Sequence, residues 1–262
     1  MPKLTESLRD DYRRLFALAV IRPAHTKAVE TWCDKVLKHR STYAEAGDPL
    51  GIPWFFVAAV HMRESSLNFS RHLHNGDPLT ARTVQVPAGR PKSGEPPFTF
   101  AQSAADALVF EKLDQWTDWS LPGLLYKLEA FNGWGYHQRD LASPYLWSFT
   151  EHYSTGKFIR DGVFDPTAVD AQCGAATLLR RLAERQDIRF ADAPAFDGTP
   201  LVVRFAAKRP TDPDILAAGV RLQEWLATHS GITLKIDGWP GQRTSNAYQA
   251  VTGHLLPGDP RI

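Results

Sequence analysis

The residues of this chain best suited to chemistry lie between Pro53 and Pro91, and foremost among them is Glu64. The run from Trp54 through Ser66 reads as an apolar helix. Pro53 suits its first turn, where a missing N–H costs nothing. Trp54, Val57, Ala58 and Val60 recur at helical spacing, and the run then delivers a carboxylic acid near the helix end. An acid in that position is half-desolvated. Loss of water disfavours the charged form, which raises the pKa and fits the group to donate a proton near neutral pH. A polar stretch follows, from Asn68 to Asp77. His72 and His74 form an HxH pair there, and His61 stands three residues before Glu64. No set of Cys or Asp completes a tetrahedral site around them, so neither a metal nor a cofactor is expected. His61 or His72 is expected to hydrogen-bond near Glu64 and help set its pKa.

The elements that must position these groups are mostly helical. From Thr5 to His39 two apolar stripes recur, Leu8, Tyr12, Leu15, Phe16, Leu18 and Ala19, then Val29, Trp32, Cys33, Val36 and Leu37, with Pro23 between two helices. Arg40 to Gly51 reads as a connection, with Gly47-Asp48-Pro49 as its turn. Beyond Glu64, Asn75-Gly76-Asp77-Pro78 is dense in turn formers, and Thr83 to Pro87 alternates as a short strand. A small β-wing beside a helical body is the expected outcome. Thr99–Trp119, Leu124–Phe131 and Val169–Leu182 read as further helices, and the glycines at 156 and 162 as turns. The intervening segment from Ser143 to Tyr153 is strongly aromatic. Residues 186–213, rich in proline, read as a linker containing a short strand, Leu201–Phe205. Two more helices, Ile215–Leu226 and Thr244–Val251, close the chain.

Composition excludes several classes. Among 262 residues the formal net charge is +1, so no field favours nucleic acid. No run approaches the length of a membrane span, and the N-terminus lacks the apolar stretch of a signal peptide. The eight tryptophans suit a sugar-binding cleft and suit an aromatic core equally. Cys33 and Cys173 form no CxxC pair and lie in apolar, helical surroundings, where buried thiols are expected.

Two motif sets extend this reading by resemblance. Leu222-Gln223 followed by Asp237-Gly238, Gly241, Thr244 and Ala247 resembles the small three-helix peptidoglycan-binding domain of bacterial and phage wall hydrolases. In that frame Asp237 and Gly238 are architectural and Thr244 caps the following helix. Upstream, over residues 50–185, Glu64-Ser65-Ser66 and Phe131-Asn132-Gly133-Trp134-Gly135-Tyr136 resemble, in order, the catalytic "ES" and the "(Y/F)N.G" element of lysozyme-like peptidoglycan hydrolases, among them phage endolysins and lytic transglycosylases. The departure is Phe131 and the two extra aromatics, Trp134 and Tyr136.

The resemblance implies a mainly α, lysozyme-like α+β catalytic domain over residues 1–185, a linker over 186–213 and a peptidoglycan-binding module over 214–262. It implies that Glu64 protonates the glycosidic oxygen of a β-1,4 glycan strand. Such cleavage usually needs a second carboxylate, for which Asp77 is the candidate; Asp77 is also a natural turn residue. Ser65, Thr83, Gln85, Asn132, Tyr136, Tyr145 and Trp147 are the candidate substrate contacts, while Glu129 and Asp106 read as surface or structural acids. If Asp77 is only structural, Glu64 acts as acid and then base with help from the substrate's acetamido group, as in lytic transglycosylases. A chitinase-like enzyme and a non-catalytic wall-binding protein are the remaining alternatives. The expected partner is peptidoglycan and the expected state a monomer, released to the cell wall by phage-type lysis or exported by other machinery.

Overall fold

Helix α4, Trp54–Ser65, carries ten consecutive buried residues from Trp54 to Arg63. A helix apolar on every side has no solvent face to keep, so its neighbours must surround it. In the computed structural model they do. The structure describes residues 2–160, 162–185, 187–192, 203–229 and 233–262. Ahead of α4 come α1 (Glu6–Leu18), α2 (Thr26–Lys38) and α3 (Arg40–Gly47). After it come α5 (Phe100–Phe110), α6 (Leu121–Asn132), α7 (Pro144–Trp147), the strands β1 (Lys157–Arg160) and β2 (Val163–Asp165), and α8 (Ala175–Glu184). Then follow α9 (Pro213–His229) and α10 (Gln242–Thr252). The chain is mainly helical, 50% helix with one small two-stranded sheet among the described residues. α4 packs against α3, α6 and α8. It stops where Ser66 and Leu67 turn left-handed, at φ 52° and 60°.

The chain folds as two compact units, Met1–Arg13 with Ile21–Asp192, and Arg14–Val20 with Ala193–Ile262. In the first unit, polar caps fix the helix starts. Thr99 and Gln102 form a reciprocal capping box on α5, and the Ser120 hydroxyl accepts from Gly123 N at the head of α6. Both cysteines are buried free thiols, as expected, and burial pushes the Cys33 thiol up to about 12.

Four expectations need correction. The helix expected over Thr99–Trp119 ends at Phe110, followed by a single short turn at Leu113–Gln115. Residues 40–47 are helical, not a connection. Tyr43, Ala46 and Gly47 are buried there, and the Tyr43 ring meets His61, Phe69 and Phe100, so long-range packing overrides local turn chemistry. Thr83–Pro87 forms no strand. The Val84 and Gln85 amides donate to the Asp77 carboxylate at 2.8 and 3.0 Å, and the Thr83 hydroxyl donates to Pro87 O at 2.5 Å, so side chains and turns satisfy groups a ladder would use. The hairpin lies instead at β1–β2, where Phe158, Ile159, Val163 and Phe164 supply strand-forming side chains around a register shift between Phe158 and Arg160. The expected closing helix also starts later, at Ala175, after a loop that contains Asp170.

The second unit is built on α9 and α10, with Val203, Leu222, Leu226, Ala247, Tyr248 and Leu256 as its buried core. Gln223 ties it together. Its Oε1 accepts from Asp237 N at 2.9 Å and Gly238 N at 2.8 Å, and its Nε2 donates to Asp237 Oδ1 at 3.1 Å, Trp239 O at 3.0 Å and Thr244 Oγ1 at 3.2 Å. Gly238 sits at φ 74° with its backbone against Leu216, where a Cβ would lie 2.5 Å from Leu216 O. The expected cap at Thr244 is displaced. The N-cap of α10 is Gly241, and Thr244 lies inside the helix, donating to Trp239 O at 3.1 Å. Two helices, α9 and α10, stand among the described residues of 203–262, where three were expected. Of the expected strand Leu201–Phe205, the first two residues lie outside the described ones and the rest are irregular.

Candidate active site

Glu64 lies one residue before the end of α4 and faces a cleft of ≈ 510 Å³. Asn132, Tyr136 and Tyr145 border the same cleft, so four residues separated along the sequence converge as expected. Tyr145, at the start of α7, is buried, and its hydroxyl donates to Glu64 Oε1 at 2.9 Å. The Arg63 guanidinium stacks over the Tyr145 ring, 4.8 Å from its centre. Arg63 is fixed in turn by Asp170 at 2.8 Å and by Cys173 O at 3.1 Å. Asn132 ends α6, with its side-chain amide 3.4 Å from the Ser143 hydroxyl. Tyr136 is buried, and its hydroxyl accepts from Phe158 N at 2.9 Å, fastening the hairpin to the cleft wall. Gly135 permits that approach, since a Cβ there would fall 2.8 Å from the Phe158 ring.

The Glu64 carboxyl touches water along the cleft while protein crowds it elsewhere. Solvent contact and surrounding density describe different things, and for proton affinity the density governs here. Burial raises the Glu64 pKa above the ordinary carboxylate value. The hydrogen bond from Tyr145 and the charge of Arg63 pull the other way, and the charge of Glu111 adds a small upward push. Glu111 borders a second cavity, ≈ 90 Å³, that shares Glu64 and Phe131 with the main cleft. Among the described residues, Asp170 is the other carboxylate on the main cleft. It is buried, bonded to Arg63, and lies 3.9 Å from Lys157 Nζ.

The remaining expected site residues lie elsewhere. Asp77 borders neither cavity. Its Oδ2 accepts from Val84 N, Gln85 N and, at 3.2 Å, Asn75 Nδ2. These donors hold its pKa below the ordinary carboxylate value. The residue is 5% exposed, and its hydrogen bonds outweigh the desolvation that burial imposes. Thr83 and Gln85 belong to the same loop. Thr83 Oγ1 accepts from Arg90 N at 2.9 Å, and Gln85 O accepts from Asn75 Nδ2 at 2.9 Å. Ser65 turns back to its own helix, donating to His61 O at 3.2 Å. Trp147 is a core residue packed edge-on against His152. Of the alternative acids, Glu129 is buried and bonded to the Tyr12 hydroxyl, and Asp106 pairs with Arg90 at 2.7 Å.

The histidines do not tune Glu64 as expected. His61 Nδ1 pairs with the Tyr43 hydroxyl at 3.0 Å inside an aromatic cluster, where burial lowers its pKa to about 4. His72 spans Ser103 Oγ at 2.7 Å and Ala81 O at 2.8 Å. His74 borders the second cavity and pairs with Asp106 at 2.8 Å. Among the described residues no three of His, Cys, Asp and Glu converge as a metal-binding group.

Sequence reasoning missed the far wall of the cleft. Lys157, Phe158, Ile159 and Arg160 of β1 form it, with Gln172 from the loop before α8. The signal was present in the apolar pairs flanking Gly162, but the local glycines favoured a turn reading. In comparison with known proteins, the chain matches no protein-family profile, and no curated protein or solved structure is significantly similar to it.

Proposed function

We propose that this protein cleaves the β-1,4 glycan strand of peptidoglycan, with Glu64 as the general acid on a lysozyme-like first unit and the second unit as a wall-binding module. One observation carries the reading. A crowded acid at the end of an apolar helix opens into the same cleft as Asn132, which the motif resemblance nominates, and as Tyr136 and Tyr145, two further candidate substrate contacts. In that setting a protonated Glu64 hands its proton to the leaving glycosidic oxygen, and the sugar passes through an oxocarbenium-like state. Ile159 and Phe158 offer apolar surface against which a sugar ring can lie. A wall-binding module would raise the local concentration of glycan, so the cleft need not bind tightly by itself.

Two outcomes of that first step compete. Muramidase-like hydrolysis requires a water and a group to activate it. The lytic-transglycosylase route needs only Glu64, acting as acid and then base while the acetamido group assists and a 1,6-anhydro ring closes. A specific observation favours the second route: Asp170 is paired with Arg63, and Asp77 is occupied by three loop donors. Mass spectrometry of the released muropeptides separates the routes, because the products differ by one water. Glu64→Gln tests the whole reading. Clearing of a wall suspension at the wild-type rate by that variant would show that Glu64 is not the general acid, and failure of the wild type to clear it would leave only a non-catalytic binding role.

A further inference from the structure

Among the described residues, the main cleft is lined by three cations, Arg63, Lys157 and Arg160, and by two carboxylates, Glu64 and Asp170. Arg63 and Asp170 neutralise one another at 2.8 Å, with both side chains buried. Lys157 lies 3.9 Å from Asp170, at the outer limit of pairing with an acid that Arg63 already holds, and its side chain is 36% exposed. Arg160 is exposed, and among the described residues no carboxylate pairs with it. Two cations thus stand on one strand, β1, which lines the same cleft as Glu64, with Phe158 and Ile159 between them in sequence. Tyr136 bonds β1 through Phe158 N, and the Arg139 guanidinium lies over the Phe158 and Phe164 rings at 5.6 and 4.8 Å, so the strand is braced on its support. Two cations on a braced strand beside apolar surface suit a ligand that carries both a sugar face and a carboxylate.

We propose that Lys157 and Arg160 hold a free carboxylate of the stem peptide borne by the glycan, so that the cleft selects peptide-substituted glycan over a neutral β-1,4 aminosugar polymer such as chitin. The assignment rests on the proposed glycan-cleaving function and names the substrate feature that the same site reads. In an intact wall the lactyl carboxyl is tied up as an amide, so the free carboxylates belong to the peptide.

The test compares kcat/KM on native sacculi with kcat/KM on the same sacculi after their carboxyls are converted to methylamides with carbodiimide and methylamine. A charge-assisted contact is worth about tenfold, so wild-type protein is expected to prefer native sacculi by roughly ten- to a hundredfold. In Lys157→Met/Arg160→Gln, checked by thermal melting, that preference is expected to fall to about one, with most of the change in KM. Equal rates of the wild type on native and blocked sacculi overturn the proposal without reference to any variant. A preference that survives in the folded double variant overturns it as well. Failure of the underlying function reads differently: Glu64→Gln would then clear native sacculi as fast as wild type, whatever the preference.

Discussion

The end of α4 and the loop that follows it each present one carboxyl group, Glu64 and Asp77, thirteen residues apart. Glu64 receives one hydrogen bond, from Tyr145, and is otherwise crowded by protein; its proton is held more tightly than usual. Asp77 receives three donors that outweigh its desolvation, and its proton is held less tightly. The difference separates two uses of the same functional group. A carboxyl short of donors keeps its proton and can give it away in the cleft. One rich in donors stays ionised and holds a loop in shape.

The sharpest way to break this comparison is Glu64→Gln. It is expected to reduce wall clearing by about 10²- to 10⁴-fold, the usual worth of a general acid, as read by turbidity. The same variant should be more stable than wild type at neutral pH. The folded-state pKa of Glu64 is raised, so its ionisation costs the folded state stability once pH passes through the window above the ordinary carboxylate range. The gain in Tm should therefore vanish when melting is repeated below that range.

Asp170→Ala comes next. It leaves Arg63 buried without its charge partner, and breaking a buried pair costs about 3–5 kcal/mol, measurable by urea unfolding. Tyr145→Phe removes the one donor that favours ionised Glu64. The alkaline limb of the pH–rate profile should move upward, with a smaller loss of kcat than in Glu64→Gln.

Asp77→Asn should lower Tm at neutral pH without moving that alkaline limb. Because the folded-state pKa of Asp77 is depressed, its contribution is present above the ordinary aspartate range and fades as pH falls through the folded value, so the difference in Tm should shrink in acid. The smallest effect is expected of Glu111→Gln. Loss of that negative charge lowers the proton affinity of Glu64 and should move the alkaline limb slightly downward. A shift as large as that of Tyr145→Phe, or in the other direction, would show that the second cavity matters more to Glu64 than the contact with Tyr145.

Particular residues show how far the sequence was legible. The apolar run before Glu64 and the Gln223 to Gly238 frame are local patterns, and each appears in the structure with its physical role. Thr83 to Pro87 was misread because alternation signals a strand only when a partner strand exists, and here the Asp77 carboxylate takes two of the amides. Residues 40–47 were misread for the converse reason: their helix is secured by rings at positions 61, 69 and 100. Trp147 was placed in the cleft for its residue type, and the core claimed it.

By itself the sequence determined a mainly helical chain, an acid at the end of an apolar helix, and the asparagine and aromatics that join that acid. These follow from periodicity and from the rule that a carboxyl on an apolar helix loses water. Tertiary structure alone decided which second acid stands in the cleft and that Arg63 neutralises it. It also decided that β1 forms the far wall and that Asp77 serves its loop. Hydrogen bonds and ion pairs between residues 63 and 170, 77 and 84, or 136 and 158 depend on where the folded chain brings their atoms together. A one-dimensional pattern carries no such distance.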